Sequence, residues 1–106
     1  MKKLFLNFSS VFLLLIFALI INVNADELFN KGKEIFLEAG NCAACHTLSD
    51  AGSNAMIGPN LNEIRPDVSR ILMAVKNGIG VMPAMEGILS NEEIEAVAHY
   101  VSISAE

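Results

Sequence analysis

The chain has 106 residues, 53% of them hydrophobic, with 7 basic and 12 acidic side chains and a formal net charge of −5. That length holds one small domain and leaves no room for a large enzyme scaffold. Residues 26–106 hold all 12 acidic groups against 5 basic ones, a net −7, which argues against nucleic acid and anionic membrane as partners because both repel an acidic surface.

Residues 1–25 are of a different kind. Lys2 and Lys3 are followed by an unbroken apolar run at 11–21 (VFLLLIFALII), and Val23-Asn24-Ala25 then offers an A-x-A-like cleavage pattern. This is the layout of a secretory signal peptide cut before Asp26. A retained membrane anchor is the alternative. It is disfavoured because a spanning helix needs about 20 apolar residues, whereas Asn7, Ser9 and Ser10 interrupt the stretch at 4–21. The expected organisation is therefore a leader at 1–25 and an exported domain at 26–106, periplasmic, with membrane contact only if the leader is retained. An 81-residue domain is close to the size at which a hydrophobic core alone gives little margin, so a cofactor or cross-link is expected to help hold it.

Three helices are predicted in the exported part. The first covers residues 27–39, where Leu28, Gly32, Ile35, Phe36 and Ala39 recur at steps of three and four. Gly40 stands where a helix stop belongs. The second covers 67–77, with Pro66 at its start, Val68, Ile71, Leu72 and Val75 as its apolar stripe, and Gly78 beyond its end. The third covers 91–103. Ser90 and Glu93 form an S-x-x-E capping box, Ile94, Val97, Ala98 and Val101 form the buried face, and Tyr100 lies at its edge. Residues 61–64 read as one further short turn of helix. No segment sustains period-2 alternation, so no sheet is expected. Two long irregular stretches, 41–65 and 78–89, need a bulky ligand to fill the space they enclose.

Residues 42–46 supply that ligand. They read Cys-Ala-Ala-Cys-His, the attachment signature of c-type haem. Cysteines at i and i+3 share one face of a helical turn, so both sulfurs reach the two vinyl groups on one porphyrin edge as thioethers. His46 follows directly and binds the iron from one side. A thioredoxin-like redox site would need a βαβ context. A structural zinc site would need four ligands, and only His99 remains to join these. A plain disulfide leaves His46 unexplained.

The iron's second ligand has five candidates: Met56, Met73, Met82, Met85 and His99. Met73 reads as packing, Met56 as a lid or gap-filler, and His99 as a polar residue at a helix border. Met82 is favoured because Pro83 pushes it toward an extended conformation in a loop with little helix tendency. Met85, three residues on, is the close rival. A ligating His donates its other ring N–H to an acceptor, and the Pro59 carbonyl is a candidate for that role.

Together these residues resemble the class I cytochromes c, most closely the small bacterial and algal cytochrome c6-like or c-553-like proteins. The likeness rests on Cys42-Ala43-Ala44-Cys45-His46, Gly58-Pro59-Asn60-Leu61, Asn77-Gly78 through Met82-Pro83-Ala84, and Leu89-Ser90 through Tyr100-Val101. It implies an all-α fold of three to four helices wrapped around one covalently bound haem c. It implies Cys42 and Cys45 as attachment points, His46 and Met82 as iron ligands, and Pro59 as the backbone partner of His46. It also implies that Gly32 and Phe36 pack against Val97 and Tyr100 where the terminal helices cross. Met85 and Glu86 depart from the pattern, which usually has an aromatic residue and then a small one there.

The function expected is one-electron transfer, not enzymatic turnover. The partners expected are redox proteins with basic docking patches, with no small-molecule substrate. The Gly58-Pro59 stretch and the 77–83 loop also resemble the cytochrome subunits of periplasmic dehydrogenases such as sulfite dehydrogenase, so a dedicated subunit stands as the alternative.

Overall fold

The computed structural model describes residues 24–106; the expected leader lies outside the described residues except for its last two. Four helices, α1 (24–37), α2 (Leu61–Ile64), α3 (Val68–Asn77) and α4 (Asn91–Ser104), carry the described chain. The fold is all-α, as expected, with one small addition. Two-residue strands β1 (Thr47–Leu48) and β2 (Ser53–Asn54) pair antiparallel, Thr47 opposite Asn54 and Leu48 opposite Ser53. Such short strands leave no alternation to detect in a sequence.

The helix ends differ from expectation in instructive ways. α1 stops at residue 37, and the left-handed residue that turns the chain is Asn41 (φ 49°) rather than Gly40. Asp67 is not the first helical residue of α3 but its N-cap, accepting from the Arg70 N–H at 2.9 Å, which places Pro66 outside the helix. Val68 is 42% exposed, so the buried stripe of α3 narrows to Ile71 and Val75. The capping box of α4 forms as read: Glu93 N–H donates to Ser90 Oγ at 3.1 Å, and Ser90 N–H donates to Glu93 Oε1 at 2.9 Å.

The core centres on α4. Ile94, Ala96, Val97, Ala98, Tyr100 and Val101 are all buried, and they pack with Ile35 and Phe36 of α1 and Ile71 and Val75 of α3. Tyr100 is not at an edge. Its side chain is 0% exposed and sits edge-on to Phe29 (4.9 Å between centroids) and Phe36 (5.8 Å), geometries favourable beyond simple burial. The α1 backbone reaches α4 because residue 32 is glycine. A Cβ there would collide with the Ala96 carbonyl and come within 2.5 Å of Tyr100 Cβ. Gly32 thus rests on Ala96 and Tyr100, and Phe36 and Val97 are buried in the same cluster.

The Tyr100 hydroxyl extends this crossing toward the 42–54 region. It donates to Asp50 Oδ2 at 2.7 Å, and Lys33 Nζ lies 3.2 Å from the same oxygen. The Tyr100 hydrogen bond, aided by Lys33, holds the Asp50 carboxyl below its ordinary 3.8. Burial first, and the Asp50 carboxylate second, push the Tyr100 hydroxyl above its ordinary 10.0. A depressed carboxyl stabilises the fold above its unfolded value and loses that contribution as pH falls through the folded one. A raised tyrosine stabilises below its unfolded value and loses that contribution as pH rises.

Two outcomes follow. Gly32→Ala is expected to cost about 3 kcal/mol, at the upper end for overpacking, measured by denaturant unfolding. Tyr100→Phe is expected to cost about 1–2 kcal/mol near neutrality, and the difference from the parent protein should shrink below pH 3.8 and above pH 10.0. A difference that stays constant across that range would mean the Tyr100–Asp50 bond contributes nothing.

Candidate haem site

The site begins one residue after the left-handed Asn41. Residues Cys42–Ala44 form a 3-10 turn closed by Cys45 N–H to Cys42 O (3.1 Å), and His46 N–H reaches the same oxygen at 3.0 Å. The turn brings both cysteines close to the histidine. No disulfide joins them, and both are half-buried. Burial, chiefly, pushes the Cys42 thiol up to about 11, so it is neutral near pH 7.

His46 is held from two sides. Its Nδ1 lies 2.8 Å from the Pro59 carbonyl oxygen. That oxygen can only accept, so Nδ1 carries the proton, and in the neutral ring the lone pair is on Nε2. Gly58 lies flat against the ring: a Cβ at position 58 would stand 2.6 Å from Cε1 and 2.9 Å from Nδ1. Gly58 N–H also donates to the Cys45 carbonyl at 2.7 Å. The donor set therefore fits a covalently attached haem: two sulfurs at i and i+3, and an imidazole oriented by a backbone carbonyl with its second nitrogen free among the described residues.

The candidate second ligands separate by environment. Met56 is 88% and Met73 65% exposed. Met82 and Met85 are half-buried and pack against the core. Met82 closes a tight turn, donating its N–H to Ile79 O at 2.9 Å and accepting from Ile79 N–H at 3.2 Å. Gly78 (φ 72°) makes room for that turn, since a Cβ there would lie 2.5 Å from Met82 O. Met85 is tied by its backbone instead, donating to Val75 O at 2.8 Å. His99 is half-buried on α4. The structure thus brings Cys42, Cys45, His46 and Pro59 together, and sets Met82 and Met85 on the apolar core.

Sequence reasoning missed two contributors. Gly58 was quoted only as part of a motif, and its absent side chain makes the seat for the imidazole. Asn62 was not singled out, yet its Oδ1 accepts from Ser49 N–H at 2.8 Å, just beyond β1. The signal for Gly58 was the Gly-Pro pair, which marks a turn; nothing in the local pattern marked Asn62.

A tethering turn, a carbonyl-oriented imidazole and a frame of short helices are the attributes of a class I cytochrome c. Comparison with known proteins agrees. A family model described as cytochrome C oxidase, cbb3-type, subunit III matches residues 27–101. The chain is similar to cytochrome c6 of Synechocystis sp., 41% identical over 83 residues, covering 71% of this chain and 64% of that one. It is similar to cytochrome c6 of Microcystis aeruginosa, 39% identical over 79 residues, covering 71% of this chain and 95% of that one. It is also similar to the crystal structure of the c-type cytochrome SorU from Sinorhizobium meliloti, with 55% identity, 76% of this chain and 93% of that one covered, and a TM-score of 0.72. The chain belongs to the cytochrome c family that this model and these relatives represent, among its small class I members. It is an electron-transfer protein, not an enzyme, and carries a covalently bound c-type haem with iron.

In acidified acetone the red pigment is expected to stay with the polypeptide, and Cys42→Ser with Cys45→Ser should release it into the solvent. Pigment that leaves the unaltered chain would contradict the thioether attachment.

Proposed function

We propose that the protein is a periplasmic one-electron carrier in which His46 and Met82 hold the haem iron between them. The observation that carries this reading is the 2.8 Å contact from His46 Nδ1 to the Pro59 carbonyl, because it orients the ring and leaves its other nitrogen available to a metal. Met82 is supported by three things: its half-burial against the core, the tight turn that fixes its backbone, and Pro83 beside it. The haem supplies a one-electron iron couple, whose potential a thioether axial ligand raises.

The rest of the chain keeps that couple steady. Cys42 and Cys45 anchor the group from one turn, and the Gly58 seat prevents the imidazole from tilting. Ligands held by a packed fold move little between redox states, so little rearrangement opposes transfer. Export is supported by the leader's composition, and among the described residues no helix is long and apolar enough to cross a membrane.

Encounter with partners follows from charge. Glu27, Glu34, Glu38 and Glu93 line one groove, with Lys31 the one cation among them, and give that side of the domain an acidic character. Such a side steers the molecule toward redox proteins bearing basic patches, and the steering weakens as salt rises.

A second reading, a dedicated cytochrome for one periplasmic dehydrogenase, draws on the resemblance of the Gly58-Pro59 stretch and the 77–83 loop to such subunits, and the 55% identity to the c-type cytochrome SorU exceeds that to the cytochromes c6 reported above. Size-exclusion of the native protein separates the two, since a dedicated subunit elutes with its enzyme. For the ligand, Met82→Ala is expected to change the visible spectrum and lower the potential, whereas Met85→Leu should leave both near the parent values. The reverse pattern would assign the iron to Met85.

A further inference from the structure

Two stretches of chain meet beside His46, and they meet at a constant offset. Gly58 N–H donates to Cys45 O at 2.7 Å. His46 Nδ1–H donates to Pro59 O at 2.8 Å, and Ser49 N–H donates to Asn62 Oδ1 at 2.8 Å, each pair 13 residues apart. The Cys45–Gly58 pair has the same separation, and so do Leu48 and Leu61, both buried in the core. Segments 45–49 and 58–62 therefore lie alongside one another in a single parallel register. The first two rungs end on backbone atoms that no substitution removes cleanly. The third ends on a side chain.

That side chain is well braced. Asn62 Oδ1 also accepts from Ser49 Oγ at 3.2 Å, and the Asn62 N–H donates to Asn60 Oδ1, the N-cap of α2, at 3.0 Å. Among the described residues, no other side-chain hydrogen bond joins α2 to the turn that follows β1.

We propose that Asn62 is a positioning residue for His46: by gripping Ser49 it locks the register at which the Pro59 carbonyl meets the imidazole, and so sets how strongly that ring donates to iron. The proposal rests on His46 being the axial ligand. A carbonyl that accepts from Nδ1–H makes the opposite nitrogen more basic, and a more basic ligand favours ferric iron. A loosened register lengthens that hydrogen bond and favours the ferrous form.

The rung can be cut from either side. Asn62→Ala removes the acceptor. Ser49→Pro removes the donor at a position that accepts proline: Leu48 is extended (φ −151°, ψ 114°), as a residue before proline must be, and Ser49 opens a 3-10 turn. On the haem-loaded protein, both variants are expected to raise the reduction potential. The shift expected is at least about threefold in the ferrous-to-ferric equilibrium, roughly 30 mV at 59 mV per tenfold. Both should also speed the exchange of the His46 Nδ1 proton, followed by NMR in the ferrous state. The double variant should shift no further than the larger single one, because both cut the same rung.

Ser90→Ala, which removes the cap of α4, is the control: it lowers stability and leaves potential and proton exchange alone. If Asn62→Ala and Ser49→Pro only lower stability, as Ser90→Ala does, Asn62 is merely structural and the proposal falls. If only one of the pair loads haem, its potential and exchange rate decide the matter. The ligand assignment is checked separately in the unaltered protein: ring protons of His46 without the large shift of a haem-bound imidazole would overturn that reading and the proposal with it, whereas an unmoved potential and exchange rate in the variants would overturn the role of Asn62 alone.

Discussion

The close approach of α1 to α4 at Gly32 is the constraint on which the rest of the fold depends. With no side chain at position 32, the α1 backbone settles onto the Ala96 carbonyl and Tyr100 Cβ. Only at that separation can Phe29 and Phe36 flank the Tyr100 ring. Only with the ring so placed does its hydroxyl reach Asp50. Asp50 lies four residues beyond His46, so the contact between terminal helices, far apart in sequence, bears on the segment that holds the cofactor. A small domain cannot rely on core volume for its margin; here one glycine lets a single tyrosine serve packing and polar bridging together.

The site itself follows a second logic, in which backbone does most of the orienting. The Pro59 carbonyl and the Cys45 carbonyl are acceptors that do not rotate, and Gly58 provides a flat seat where a side chain would intrude. Elements of this kind add no side-chain rotamer cost to the backbone ordering that folding already requires. A redox centre benefits directly, since its ligands must occupy the same places before and after an electron moves.

Much of this was legible in the sequence, and the division has physical causes. The Cys42–His46 motif is complete within five residues, and the Ser90–Glu93 box within four, so neighbours in sequence carry the whole signal. Helix periodicity located α3 and α4 because burial repeats along a helix. It misjudged Val68, which faces solvent at the end of its stripe, and it set Tyr100 at an edge, because depth depends on what Gly32, Phe29 and Phe36 permit from another helix. The β1–β2 pair was invisible because two residues do not make a pattern. Asn62 was invisible because its partner is 13 residues away, and a side chain bonded to distant backbone leaves no periodic trace.

The parallel rails beside His46 also divide the intervening chain into parts that tolerate change and parts that do not. One residue added within 45–49 or 58–62 would throw every later rung out of step. Between them, Thr47 to Ala55 is occupied by the hairpin, with Thr47 Oγ1 donating to the Ala55 carbonyl at 2.7 Å and Asp50 held by Tyr100. Met56 and Ile57 are left, with most of their surface uncovered by the rest of the chain. Extra length inserted there would bulge away from the frame, which makes that junction the natural place to graft a foreign peptide close to the cofactor without disturbing its seat.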